Sequence, residues 1–156
     1  MLINNFRKEI SEYSNQGHVE GIIPEKEGLP SYIDEAIEMG LKVKVDILGT
    51  KNGLYSSKAD SEDHLIDDVF LTKRSTKLLI CTRSIDVLYH LLIYRTFLDI
   101  YYETNSDIML TTQRYIVTRD EKLYSPRSIL ITDKEKLDKD VIKNFWGVVS
   151  NGAPND

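Results

Sequence analysis

Four carboxylates and three cationic side chains are the residues of this chain with the strongest chemical potential. Glu27, Asp46, Glu103 and Asp107 could converge on a divalent metal, since a hard cation takes several oxygen ligands and a barrel mouth gathers them from several strand ends. Lys44, Lys58 and Arg83 could hold a phosphate-containing ligand without cleaving it. Lys44 and Asp46 alternate along one strand and so share a face. The three histidines lack ligand-like spacing: His18 reads as a surface residue in the first loop, His64 starts a helix, and His90 lies off its helix's apolar face. Cys81 is the single cysteine, which excludes an intrachain disulfide and a cysteine-based zinc site and leaves a buried thiol as its reading. Gly17 and Gly21 read as turn residues, because they do not form Gly-x-Gly-x-x-Gly and no Gly-Lys-Ser/Thr follows. Tyr94, Tyr101, Tyr102 and Trp146 read as packing residues.

Short apolar runs alternating with amphipathic helical ones must position these groups, a pattern of repeated βα units around a parallel sheet. The runs predict strands at Ile10 to Ser14, Val43 to Leu48, Lys77 to Cys81, Leu98 to Tyr102, Tyr115 to Thr118, Ser128 to Thr132 and Trp146 to Val149. Several are apolar almost throughout, as strands buried on both faces are. Pro30-Ser31 opens a helix with Ile33, Ala36 and Ile37 on one face, and Gly40 caps its end. A second helix carries Leu65, Val69 and Phe70, a third Ile85, Leu88, Leu91 and Leu92, and a charged fourth spans Lys134 to Ile142. Periodicity leaves an open doubly wound sheet and a closed barrel as alternatives.

The chain has 156 residues, 41% hydrophobic and 29% charged, which fits one globular domain over residues 1–156 with a frayed tail at 151–156. The net charge of -5 is dispersed, and the basic pairs Arg7-Lys8 and Lys73-Arg74 are isolated, so no nucleic-acid footprint exists. No apolar run reaches the roughly 18 residues of a membrane span, and the N-terminus lacks a signal-peptide core. A soluble protein in the cytoplasm or another intracellular setting is the expectation.

The stretch Gly17 to Ile47 holds Gly17, Gly21, Pro24, Glu25, Glu27, Pro30, Tyr32 and Ile33 before a helix, then Lys44-Val45-Asp46 on a strand. It resembles the small, phage-associated branch of the glycerophosphodiester phosphodiesterase and phosphatidylinositol phospholipase C-like TIM barrels. That branch has a His-Arg-Gly turn after strand one, a Glu-Asn pair before a Pro-any-Tyr-Ile helix, and Glu-any-Asp on strand two. Leu54-Tyr55, Lys77 to Ser84, Leu110 to Thr118, Ser128-Ile129 and Gly147 to Ser150 continue the likeness over nearly the whole chain. The resemblance implies an α/β fold, a TIM-like (β/α) barrel. At 156 residues that barrel must be pared down, with short or missing helices, and an apolar surface left bare implies a homo-oligomer or a protein partner.

The departures fall on the chemistry. The family uses one His to activate the nucleophile, a second to protonate the leaving group, and carboxylates to hold a divalent cation such as Mg or Ca. Asn15 and Gln16 stand where the first His and its Arg would be, Lys58 where the second His would be, and Ala59 where the Asp after it would be. Lys44 replaces the strand-two Glu, leaving Asp46, and Cys81 and Glu103 stand at positions where the branch usually has His. An Asn amide does not titrate, and Lys ordinarily titrates near 10.4. The expectation is a vestigial site formed by Asn15, Gln16, Glu27, Lys44, Asp46, Lys58, Cys81, Arg83 and Glu103, with no catalytic residue and no metal, in which Lys44 or Lys58 takes the cation's place beside Asp46 or Glu27. The chain is then a pseudoenzyme, a binding, structural or regulatory part of a larger viral or cellular assembly. The alternative is a metal-dependent phosphodiesterase with a rearranged site, whose cation would rest on Glu27 and Asp46.

Overall fold

The computed structural model describes residues 10–95 and 97–150. Among these residues ten strands run in chain order: Ser11–Asn15 (β1), Lys42–Thr50 (β2), Gly53–Ser56 (β3), Leu65–Ile66 (β4), Leu78–Thr82 (β5), Ile100–Tyr102 (β6), Met109–Leu110 (β7), Ile116–Thr118 (β8), Ser128–Ile131 (β9) and Gly147–Ser150 (β10). Among the described residues four α-helices join them: Pro30–Glu38 (α1), Asp68–Lys73 (α2), Ile85–Tyr94 (α3) and Lys139–Ile142 (α4). Each of the seven expected strands is present. The additional β3, β4 and β7 are short and antiparallel, and the expected tail at 151–156 lies outside the described residues.

The seven strands are parallel and ordered β6-β5-β2-β1-β10-β9-β8, so each except β8 neighbours its predecessor among the seven, and the first lies beside the last. This sheet curls: Glu103, just past β6, and Arg119, just past β8, form an ion pair between the two ends of the parallel run. It does not close: among the described residues no strand ladder joins β6 to β7. The expected α/β fold with few, short helices is present, as a curled, open sheet and not a full (β/α) barrel. The cause is local, since β6 has three residues and the chain then turns into a two-residue strand antiparallel to β8. Thr112 bridges the opening instead: its N–H donates to the Ile100 carbonyl at 2.8 Å, while its hydroxyl accepts from the Ile100 N–H at 2.9 Å and donates to the Leu98 carbonyl at 2.8 Å.

Strict alternation splits the core between the two faces of the sheet. Leu78 and Ile80 of β5 pack outward with Val43, Val45, Ile33, Ala36, Leu71 and Leu91 beneath α1, α2 and α3. Leu79 and Cys81 of the same strand pack inward with Tyr13, Tyr101, Val117, Ile129 and Val149. Helix ends follow local chemistry: Asp67 and Ser84 cap α2 and α3 by accepting from the N–H groups of Phe70 and Val87. After α1, the Leu41 N–H reaches the Ala36 carbonyl and the Gly40 N–H the Ile37 carbonyl, the pairing that lets a glycine terminate a helix.

Arg74 ties α2 to α1. Its Nε and Nη2 donate to the two oxygens of Asp34 at 2.6 and 2.9 Å, and its guanidinium lies 3.8 Å above the Phe70 ring. The two-point pair and the ring contact together lead to an expected loss of about 1 kcal/mol in Arg74→Ala, read by urea unfolding. Arg74→Lys should recover less than half of this, because an ammonium cannot make the fork.

Candidate functional site

The C-terminal ends of the parallel strands place the charged residues on the concave face. Asn15 is in register with Lys44, Asp46 with Cys81, and Cys81 with Tyr101. The Lys44 and Glu103 side chains are each only 8% exposed. Lys44 Nζ donates to Asp46 Oδ1 at 2.8 Å. Glu103 accepts at Oε2 from Arg83 Nε at 3.0 Å and from the Cys81 thiol at 3.4 Å, and at Oε1 from Arg119 Nη2. The result is a network of three cations and two carboxylates, with the Tyr101 hydroxyl buried against the Cys81 thiol.

The network sets the protonation of its members. Burial alone would push the Lys44 ammonium down, but Asp46, with Cys81 and Glu103, outweighs this and holds it above the ordinary lysine value. Burial likewise works to raise the Glu103 carboxyl, and Lys44 and Arg83 overcome it and hold it below the ordinary glutamate value. Burial pushes the Cys81 thiol up to about 12 and drives the Tyr101 phenol far above its usual range. Cys81 is therefore held as a neutral thiol, without the thiolate that nucleophilic attack requires.

Ligand atoms of Asp46, Cys81 and Glu103 lie within 4.8 Å of one another. These residues do not fit the divalent cation that the family resemblance implies. One Asp46 oxygen already accepts from the Lys44 ammonium, both Glu103 oxygens accept from arginines, and the remaining group is a protonated thiol. A hard cation seeks several available oxygens, and here an ammonium and two guanidiniums compete for them.

The other candidates are placed elsewhere. Glu27 Oε2 lies 3.6 Å from His18 Nε2, away from the group formed by Asp46, Cys81 and Glu103. Asp107 is exposed on the rim of a cavity, and Lys58 is exposed in the turn after β3, where its N–H donates to the Ser56 carbonyl. Of the four carboxylates that could converge, Asp46 and Glu103 do so. His18 corrects a second expectation, for it is buried rather than on the surface. Its ring meets Tyr32 edge-on, and Nδ1 lies 3.4 Å from both the Tyr32 hydroxyl and the Ile23 nitrogen. Helix α1 supplies Tyr32 and the loop before it supplies Ile23, which makes burial of the imidazole tolerable.

Gln16 braces the site. Its side-chain oxygen accepts from the Asp46 N–H at 3.1 Å and from the Ser57 hydroxyl. Its own N–H donates to the Lys44 carbonyl at 2.8 Å, and its carbonyl accepts from Gly28 N–H at 2.9 Å. One residue thus fixes β1, β2, the turn after β3 and the loop before α1. Beside the network, a cavity of about 700 Å³ opens at the ends of β1, β9 and β10, lined in part by Asn15, Arg119, Lys122, Thr132, Asp133 and Ser150. Sequence reasoning missed Arg119, although its position just past a strand matches those of Arg83 and Glu103.

The Glu103 shift gives a pH prediction. A carboxyl depressed in the fold contributes stability that is present above its unfolded value and is lost as pH falls through the folded one. Stability of the native chain should therefore fall below pH 4.5 more steeply than that of Glu103→Gln, with the two curves approaching in acid. Asp99 acts in the opposite direction, because burial raises its carboxyl, so acid relieves a cost there. Thermal melts of both proteins across this range read the difference; parallel curves would exclude Glu103 as the source. Compared with known proteins, the chain matches no family model, no curated protein and no solved structure.

Proposed function

We propose that this chain is a non-catalytic, pared-down relative of the phosphodiesterase-like barrels, its sheet left open, that serves as a binding or structural component of a larger assembly. The cyclic order of its parallel strands supports the barrel kinship. The observation that carries the functional reading is the Lys44 ammonium 2.8 Å from Asp46, where a catalytic cation would need free oxygens. The protonation states point the same way. General acid-base catalysis needs a group that titrates near the working pH. Asn15 does not titrate, Lys44 is held up, Cys81 is pushed up to about 12, and Glu103 is held down. Arg119, Lys122 and Lys136 line the cavity beside the network together with Asp107, Asp120, Glu121 and Asp133, so a phosphate-containing ligand would have to be held by the cations against an excess of carboxylates.

A turnover assay tests the reading. The pure chain, given a bis-aryl or glycerol phosphodiester with Mg²⁺, Ca²⁺ or Mn²⁺, is expected to stay at the background rate, as is Asp46→Asn. Inorganic phosphate is expected to raise the melting temperature without turnover if the cavity holds the anion. Metal-dependent turnover that Asp46→Asn abolishes would overturn the proposal in favour of a metal-dependent phosphodiesterase with a rearranged site.

A further inference from the structure

The cavity at the ends of β1, β9 and β10 carries surplus charge of both signs. At about 700 Å³ it falls within the roughly 300 to 1,000 Å³ of small-molecule sites. It opens past the C-terminal ends of parallel strands, where an open α/β sheet ordinarily receives its ligand. The positive surplus reaches it through Arg119, which lines the cavity while one of its nitrogens donates to Glu103. Glu103 is a single carboxylate between two guanidiniums, Arg83 and Arg119, and Lys44 is matched by Asp46, so one positive charge is left over. A guanidinium has five N–H donors, and those that Glu103 does not engage serve a ligand. The negative surplus comes from the loops. Lys136 is set against Asp133 at 3.7 Å, which leaves Asp107, Asp120 and Glu121 facing the lone ammonium of Lys122.

We infer that this cavity binds a small zwitterion of the amino-acid type, a carboxylate and a primary ammonium joined by a short carbon chain. Its carboxylate rests on Arg119 and its ammonium among Asp107, Asp120 and Glu121. A simple anion brings its charge toward three uncompensated carboxylates, and a simple cation toward the surplus guanidinium. A ligand with both ends meets each with the opposite sign. A carboxylate also suits Arg119 in shape, since it accepts from a guanidinium at two points, and its one charge equals the surplus on the Arg83, Glu103 and Arg119 group. Ile131 and Val149 line the same cavity and give the carbon chain an apolar contact. Glu103 is the brace: its side chain is 8% exposed and holds the Arg119 guanidinium in place before a ligand arrives, which lowers the cost of ordering it. This ligand class rests on the binding role proposed above; phosphodiester turnover would remove that role, whereas a binding measurement reads the cavity alone.

Isothermal titration calorimetry of the full chain at neutral pH tests it with two zwitterions, γ-aminobutyrate and ε-aminocaproate, each beside its single-charge analogues, butyrate with butylamine and caproate with hexylamine. At least one zwitterion is expected to bind about tenfold more tightly than both of its analogues, the worth of one charge-assisted contact. Arg119→Met should abolish that preference. Asp107→Asn combined with Glu121→Gln, both exposed and outside the Glu103 network, should cut the advantage of the zwitterion over the simple carboxylate. This double variant carries the test if Arg119→Met loses the native circular dichroism. Binding by neither zwitterion, an analogue that binds as tightly as its zwitterion, or a preference unchanged in the double variant would each overturn the inference.

Discussion

Replacing Lys44 with methionine is expected to lower the stability of the chain by about 2 kcal/mol, and for a domain of this size to lower the melting temperature by about 4 to 8 °C. Methionine preserves most of the buried stem, so the loss isolates the ammonium. Removing one partner of a fully buried ion pair typically costs about 3 to 5 kcal/mol, because the other charge is left without compensation. Here the cost is smaller, since Asp46 is partly exposed and can turn toward water, while Glu103 keeps Arg83 and Arg119. The sign against pH is fixed by the raised lysine: its contribution is complete below the ordinary lysine value and is lost only as pH rises through the folded one. Denaturant melts at neutral pH should therefore show the full difference between the native chain and Lys44→Met, and strongly alkaline melts a smaller one. Adding Asp46→Asn to Lys44→Met should recover most of the loss, because the uncompensated carboxylate is then gone. If the double variant is no more stable than Lys44→Met, packing of the lysine stem and not its charge sustains the site.

The sequence made the strands of this fold legible because parallel strands buried on two faces must be apolar nearly throughout. Leu78 to Thr82 is buried at every position and stood out for that reason. The short β4 and β7 have two residues each, too few for alternation to register, and they arise from tertiary pairing with β3 and β8. The open seam was hidden for the same reason: whether β6 finds a partner depends on where Thr112 and Met109 return in space. In the site, Lys44 and Asp46 were readable as neighbours from alternation alone. The convergence of Glu103 with Arg119 was not, because it joins the two ends of a curled sheet. His18 was misjudged from its loop position, since burial comes from Tyr32 fourteen residues on and Glu27 nine residues on, contacts that no local pattern announces.

Gly28→Ala is expected to be more damaging still, by about 3 kcal/mol. Gly28 has φ +76°, a left-handed conformation that costs other residues roughly 1 to 2 kcal/mol. An added Cβ would lie 2.2 Å from Ser57 Oγ, 2.5 Å from Ser57 Cβ and 2.8 Å from the Ser56 carbonyl oxygen, so backbone as well as side chain must give way. Overpacking of this kind costs about 1 to 3 kcal/mol more. Gly40→Ala is the matched control: its φ is +89°, but no atom lies within 4 Å of the added carbon, so only the conformational cost of about 1 kcal/mol applies. The contact that Gly28 permits is the one through which Gln16 braces the site, its carbonyl accepting from Gly28 while its side chain holds Ser57 and the Asp46 N–H. The clash should therefore reach the ion pair, and the coupling between Lys44 and Asp46 in a double-mutant cycle should shrink in a Gly28→Ala background and not in Gly40→Ala. An unchanged coupling would mean that the sheet alone orients the pair, leaving Gln16 to hold the loops. A reduced one would show that the turn at Gln16 and Gly17 positions β2 and, with it, the Lys44 and Asp46 pair.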